Sequence, residues 1–190
     1  FQISKNLLLE GKFLNQWNYK NIITVGLRLK EYDWTYQFLT EQERFLSPEY
    51  RENAFNYNKT NFFFETGKYS EARKLLQTVV FTDPYYNLAS RSILVRIYFE
   101  EEDVEALFSQ LESFRGFLGR NSQISKYQKE VNLNFIRLTK RAQRLRDDKP
   151  LSVTAKYLKL VEGLEERINT KPMVHRPWLL LQIEALKLDE

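Results

Sequence analysis

Apolar residues recur with helical spacing in almost every segment of this chain that lies between turn signals. The clearest run is Ile124, Tyr127, Val131, Phe135, Leu138, Ala142 and Leu145, at steps of 3, 4, 4, 3, 4 and 3 residues. One face of an α-helix repeats in that way, so the spacing predicts a long helix opening at Ser122 and running to about Arg146. Further helices are expected at Trp17–Lys30 and Asp33–Leu46, around a break at Glu31-Tyr32. Ser47-Pro48-Glu49 then offers a cap, a proline for the first turn and an acid near the positive helix end. That helix should run to about Thr66, where Gly67-Lys68 breaks it, and Ser70 can cap the next, Glu71–Val80. Thr82-Asp83-Pro84 ends that one.

Tyr85–Glu101 and Val104–Leu118 form a third pair around the acidic turn Glu101-Glu102-Asp103, with Gly116 and Gly119 flanking its end. Helices at Ser152–Ile168 and His175–Leu188 close the chain. Phe1–Glu10 reads as the end of a helix with Gly11 as its C′ residue, its earlier turns lying in preceding sequence. No strand pair stands out, so the expected fold is all-α over a single domain, residues 1–190. Within it, 1–14 is the end of a helix, 15–119 holds three helix pairs, and 120–190 holds a long basic helix with capping helices.

Composition changes this picture little. There are 14 Phe, 11 Tyr and 3 Trp against only 6 Gly and 5 Pro, a helix-dominated profile. The absence of cysteine excludes disulfides and thiolate metal sites, and fits a cytoplasmic protein. No apolar run approaches the ~20 residues that span a bilayer.

Charge is more informative, because the net +4 is unevenly placed. Residues 1–114 hold 13 Lys/Arg against 16 Asp/Glu, residues 115–149 hold 10 against 3, and residues 150–190 hold 6 of each. Any electrostatic argument about partners therefore belongs to the middle segment. On a helical wheel, Lys126, Lys129, Arg137, Lys140, Arg141 and Arg144 gather within about 60° of one direction, opposite the apolar stripe. Such a face, over residues 115–149, could take the phosphates of a nucleic acid, an anionic membrane surface or an acidic partner segment, or could be a solvated outer surface. Leu133 and Ile136 sit on or beside it, which suggests that a neighbouring helix or a partner covers part of it.

The pairs also repeat. In Tyr57–Pro84 (YNKTNFFFETGKYSEARKLLQTVVFTDP), the residues Phe63, Gly67, Tyr69, Ala72, Leu76, Val79 and Pro84 mark one unit. Glu102, Val104, Leu107 and Leu111 fall on the places of Gly67, Tyr69, Ala72 and Leu76 at an offset of 35. Tyr32 and Leu39 fall on Tyr69 and Leu76 at an offset of 37. Small Ala72 lets two helices approach, Gly67 permits a tight turn, and the large apolar residues fill the space between pairs.

A two-helix repeat near this length resembles the tetratricopeptide repeat. The phrases SPEYRENAFNYN, FTDPYYNLASRSILVRIYFE and KEVNLNFIRLTKR are similar to an uncharacterised family of bacterial proteins with tetratricopeptide-like repeats. The resemblance implies stacked antiparallel helix pairs forming a right-handed α-solenoid. It also implies a non-enzymatic scaffold for protein–protein interaction, whose first helices line a groove for a peptide or partner helix. That groove would present Lys20, Asn21, Thr24 and Arg28, then Tyr57, Asn58, Asn61 and Phe64, then Arg91 or Arg96. Of Phe62, Phe63 and Phe64, Phe64 is the one expected to be exposed.

Catalytic apparatus is not visible. The one histidine, His175, has no cysteine or carboxylate cluster at ligand spacing, and reads as a surface or capping residue. Neither a G-x-S-x-G elbow nor a phosphate loop occurs. Neither a metal nor a cofactor is expected. The aromatic start of the last helix, Trp178-Leu179-Leu180-Leu181, reads as either a cap on the stack or a contact between copies in a homo-oligomer.

Overall fold

The computed structural model describes residues 9–10, 13–78 and 84–188. Among them are nine α-helices: α1 Gln16–Arg28, α2 Tyr32–Gln42, α3 Pro48–Glu65, α4 Tyr69–Thr78, α5 Pro84–Glu100, α6 Val104–Arg120, α7 Lys126–Asp147, α8 Ala155–Thr170 and α9 Arg176–Leu186. The all-α expectation needs one amendment. Leu9–Glu10 (β1) pairs antiparallel with Phe13–Leu14 (β2), Leu9 opposite Leu14 and Glu10 opposite Phe13. This replaces the helix end expected at Glu10; residues 1–8 lie outside the described residues. Leu14 is buried and bridged to Leu46, a tertiary contact that local periodicity could not show.

The chain divides into two compact units, residues 1–97 and 98–190. In the first, α1 packs on α2 and α3, and α3 packs on α2 and α4. Its core holds Tyr19, Ile23, Leu39, Leu46, Ala54, Ala72 and Tyr86, and the Tyr19 hydroxyl donates to the Leu39 carbonyl at 2.6 Å. In the second, α7 packs against α6, α8 and α9, and α8 packs against α9. There the core is built on Leu107, Leu111, Phe114, Phe135, Ala142, Val161, Ile168 and Leu179.

Three helix ends share one geometry. Lys30, Gly67 and Glu102 each have positive φ, 59°, 74° and 56°, and follow α1, α3 and α5. In each case the next N–H reaches back five residues: Glu31 to Gly26 at 3.0 Å, Lys68 to Phe63 at 2.8 Å, Asp103 to Tyr98 at 3.0 Å. The positive-φ residue itself donates to Leu27, Phe64 and Phe99 respectively. This is the paired bonding of a Schellman motif, and it satisfies carbonyls that the helix end would leave open. The spacings of 37 and 35 residues are those of the sequence repeat.

The fourth residue of the following helix is buried in all three cases, as Thr35, Ala72 and Leu107. Thr35 is accommodated because Gly26 stands opposite: a Cβ there would lie 2.2 Å from Thr35 Oγ1. The Thr35 hydroxyl is itself satisfied by the Glu31 carbonyl at 2.6 Å.

Several boundaries differ from expectation for local reasons. Ser125, not Ser122, opens the long helix, because Ser125 and Gln128 form a reciprocal capping box. Tyr127 then stands outside the apolar stripe, 67% exposed, while Ile124, Val131, Phe135, Leu138 and Ala142 are buried. Ser70 lies inside α4 rather than capping it, and Pro84 opens α5 rather than closing α4. The expected end of α4 at 79–83 lies outside the described residues. Gly116 and Gly119 lie within α6, which runs to Arg120. His175 precedes α9 with φ 55° and makes no side-chain cap; its ring packs on Phe135, centroids 5.3 Å apart. Trp178 is taken up internally, its Nε1 donating to Glu100 at 2.6 Å and its ring set edge-on to Phe99.

Two substitutions test the shared turn. Lys30→Gly should stabilise the chain by about 0.5–1 kcal/mol, since a left-handed backbone strains lysine and not glycine. Gly26→Ala should destabilise it by about 1–3 kcal/mol through overpacking against Thr35. Urea unfolding reads both; a Gly26→Ala/Thr35→Ala double variant that recovers none of the loss would show that the Thr35 contact is not the cause.

Candidate partner-binding surface

The surface expected along the first helices is largely not a surface. Tyr57, Asn58, Phe64 and Arg96 are all buried, none more than 8% exposed. The reason is that α3 meets α1, α2 and α4 and so buries residues around most of its circumference. Asn58 donates to the Ala54 carbonyl at 2.7 Å. Arg96 donates to Glu65 at 2.8 Å and stacks over the Phe64 ring at 3.8 Å. Burial pushes the Tyr57 hydroxyl above its ordinary range. Phe63, not Phe64, is the half-exposed member of its trio.

The remaining expected residues are scattered in their engagements. Lys20 is half-buried, donating to the Tyr85 hydroxyl at 2.5 Å and lying over the Trp17 and Tyr85 rings. Thr24 donates to the Lys20 carbonyl, and Arg91 donates from Nε to Asn87 at 3.0 Å. Arg28 is exposed and Asn61 half-exposed. Asn21 is exposed at the edge of an apolar hollow of about 560 Å³ between α1 and α2, with Ile22, Val25, Leu29 and Trp34.

The basic helix gives a coherent site. Arg137, Arg141 and Arg144 are exposed and Lys140 half-exposed along α7. They line one side of a concavity of about 420 Å³, with Leu138 and Asn134. Arg167 of α8 and Lys171 just beyond it line the other side. Lys126 and Lys129, also expected on this face, belong to the first turns of α7 and lie outside the concavity. Ile136 is buried and Leu133 half-buried, as a face partly covered by neighbouring helices requires.

Six cations thus converge, and among the described residues one of them has an acidic partner. Lys140 donates to Glu112 of α6 at 3.3 Å, and Glu112 also holds Arg115 at 3.0 Å. The bond from Lys140, and then the charge of Arg115, holds the Glu112 carboxyl below its usual range. Asn134 is oriented by donating to the Pro172 carbonyl at 2.9 Å, which ties the lining of the concavity to the segment after α8. Arg146, two residues beyond Arg144, takes no part: it stacks over Phe99 at 3.9 Å, donates to the Phe99 carbonyl and approaches Glu102. Burial lowers its guanidinium pKa.

Arg167 and Lys171 were missed by sequence reasoning because only tertiary packing brings them across to α7. A signal existed: Leu160, Arg167 and Lys171 lie within about 20° of one meridian of α8 on the wheel. Leu160 is 56% exposed, and a Cβ on Gly163 would meet nothing within 4 Å. A glycine in a helix interior costs about 1 kcal/mol relative to alanine, and here packing within the chain does not require it.

Among the described residues, no three His, Asp or Glu side chains gather into a group able to hold a metal, and no helix is long and apolar enough to cross a membrane. Comparisons with protein-family models, curated proteins and solved structures found no match.

The two sets of residues should separate on substitution. Arg96→Ala should cost about 2–3 kcal/mol, from lost packing of its buried stem and a half-exposed ion pair. Asn61→Ala and Arg141→Ala should stay within about 0.5 kcal/mol. Denaturant midpoints check this; a neutral Arg96→Ala would return that residue to the list of free surface groups.

Proposed function

We propose that this protein is a non-enzymatic interaction scaffold of tetratricopeptide-like helical repeats, and that its α7–α8 concavity receives an acidic segment of a partner protein. The observation that carries this reading is the convergence of Arg137, Lys140, Arg141, Arg144, Arg167 and Lys171 with, among the described residues, a single acidic counterpart, Glu112. Arginine forks suit carboxylates, and like charges held together cost stability unless a counter-charge arrives. The lining consists of Arg, Lys, Asn and Leu side chains, a donor-rich wall that suits holding an anionic segment.

Chemistry favours acidic protein over nucleic acid. Single strands are gripped by aromatic platforms among the cations, and the lining holds none. Exposed Tyr127 lies ten residues before Arg137, about 15 Å along the helix axis. Magnitudes add a constraint. Exposed ion pairs contribute about 0.2–1 kcal/mol each, so five amount to no more than about 5 kcal/mol. A micromolar complex needs about 8 kcal/mol, so apolar contact must supply the rest.

Fluorescence anisotropy with an oligoglutamate probe and a duplex oligonucleotide of matched charge, at low and moderate salt, tests the reading. The acidic probe should bind, and Arg137→Glu/Arg141→Glu/Arg144→Glu should abolish binding while leaving helicity intact. Glu112→Gln should strengthen binding, because it releases Lys140 to the concavity. Tighter, steeply salt-dependent binding of the oligonucleotide would replace this reading with nucleic-acid recognition.

A further inference from the structure

The hydrogen-bonding character of the concavity says more about the form of its occupant. Arginine and lysine side chains only donate, and Leu138 offers nothing. Asn134 is the one lining side chain with an acceptor, and its orientation is fixed by its N–H bond to the Pro172 carbonyl. Glu112, the carboxylate that pairs with Lys140, is also engaged by Arg115. An extended peptide laid here would face its backbone N–H groups to a wall with almost no acceptors. An α-helix carries its N–H groups satisfied within itself and offers only side chains.

The spacing of the cations agrees. Arg137, Arg141 and Arg144 stand at i, i+4 and i+7 on α7, the period at which a second helix alongside would repeat its own acidic residues. On the α8 side, the line through Arg167 continues to exposed Leu160, with open Gly163 beside it. A glycine there allows a partner's backbone to come close, and Leu160 offers the apolar contact that the charges alone cannot replace.

We infer that the α7–α8 concavity takes its partner as an α-helix, with an acidic stripe against the cations and an adjoining apolar stripe against Leu160 and Gly163. This inference rests on the basic concavity being the binding site.

The test uses the full chain and three fluorescent probes of equal charge. The first is a capped helical peptide with Glu at i, i+4, i+7 and i+11 and Leu on the adjoining stripe in an alanine background. The second is the same peptide with two central prolines, and the third is oligoglutamate. The helical peptide should bind about tenfold tighter than its proline-broken version. Gly163→Leu should weaken it about tenfold, yet leave oligoglutamate binding unchanged; circular dichroism and the oligoglutamate signal confirm the fold. Equal affinities for the first two probes, or indifference of the helical peptide to Gly163→Leu, would overturn the helix inference while the acidic-partner reading stands. Failure of all three probes to bind at low salt would overturn both.

Discussion

A left-handed residue follows α1, α3 and α5 and closes the end of each of these helices. Its cost is paid locally by two backbone hydrogen bonds that close otherwise open carbonyls. Only Gly67 meets this geometry without strain; Lys30 and Glu102 hold it because the bonds on either side fix the chain. Once the turns after α1 and α3 are set, the fourth residue of the next helix must fit beneath the helix just left. The residues at that place, Thr35 and Ala72, differ in size, and the first of them depends on Gly26. The repeat is therefore kept as a backbone geometry more faithfully than as a set of residues.

Within the second unit, α7 reconciles two demands. Its apolar stripe is packed against α6, α8 and α9, so its cations have only a narrow sector left to occupy. Confinement of that kind concentrates charge that would otherwise spread around a free helix. Arg146 shows the alternative outcome for a cation on the same helix. It is drawn over Phe99 and onto a backbone carbonyl, and so becomes a packing residue. What separates Arg146 from Arg144 is a rotation of two residues, which turns one inward and the other to solvent.

The sequence made the helices and their period legible, because helix formation and helix pairing depend on local spacing. It also located the cations of α7. It did not reveal that Tyr57, Asn58, Phe64 and Arg96 are interior, because polar residues on a helix look alike whether they face water or satisfied internal partners. Arg96 could be read as buried only after Glu65 and Phe64 were known to meet it. The pairing of Leu9–Glu10 with Phe13–Leu14 was hidden for a related reason: the bridge that anchors it joins Leu14 to Leu46, far along the chain. Arg167 and Lys171 were equally out of reach, since helical periodicity says which residues share a face but not which helix that face meets.

The distribution of hydrogen-bonding capacity gives the strongest link between this fold and a role. A scaffold that reads extended peptides needs side chains that both donate and accept along its groove, and the amides expected to do so here are spent or dispersed. Asn58 closes on its own helix, and Asn61 stands half-exposed among side chains that packing has claimed. The α7–α8 wall consists almost wholly of donors. A surface of that kind discriminates by what it fails to satisfy: it tolerates a ligand whose only outward groups are acceptors. An acidic helix meets that condition over its middle turns, where its backbone donors are already used. The recognition problem is thereby moved from the peptide backbone to the spacing of carboxylates, a property that a partner can change by single substitutions without altering its own fold.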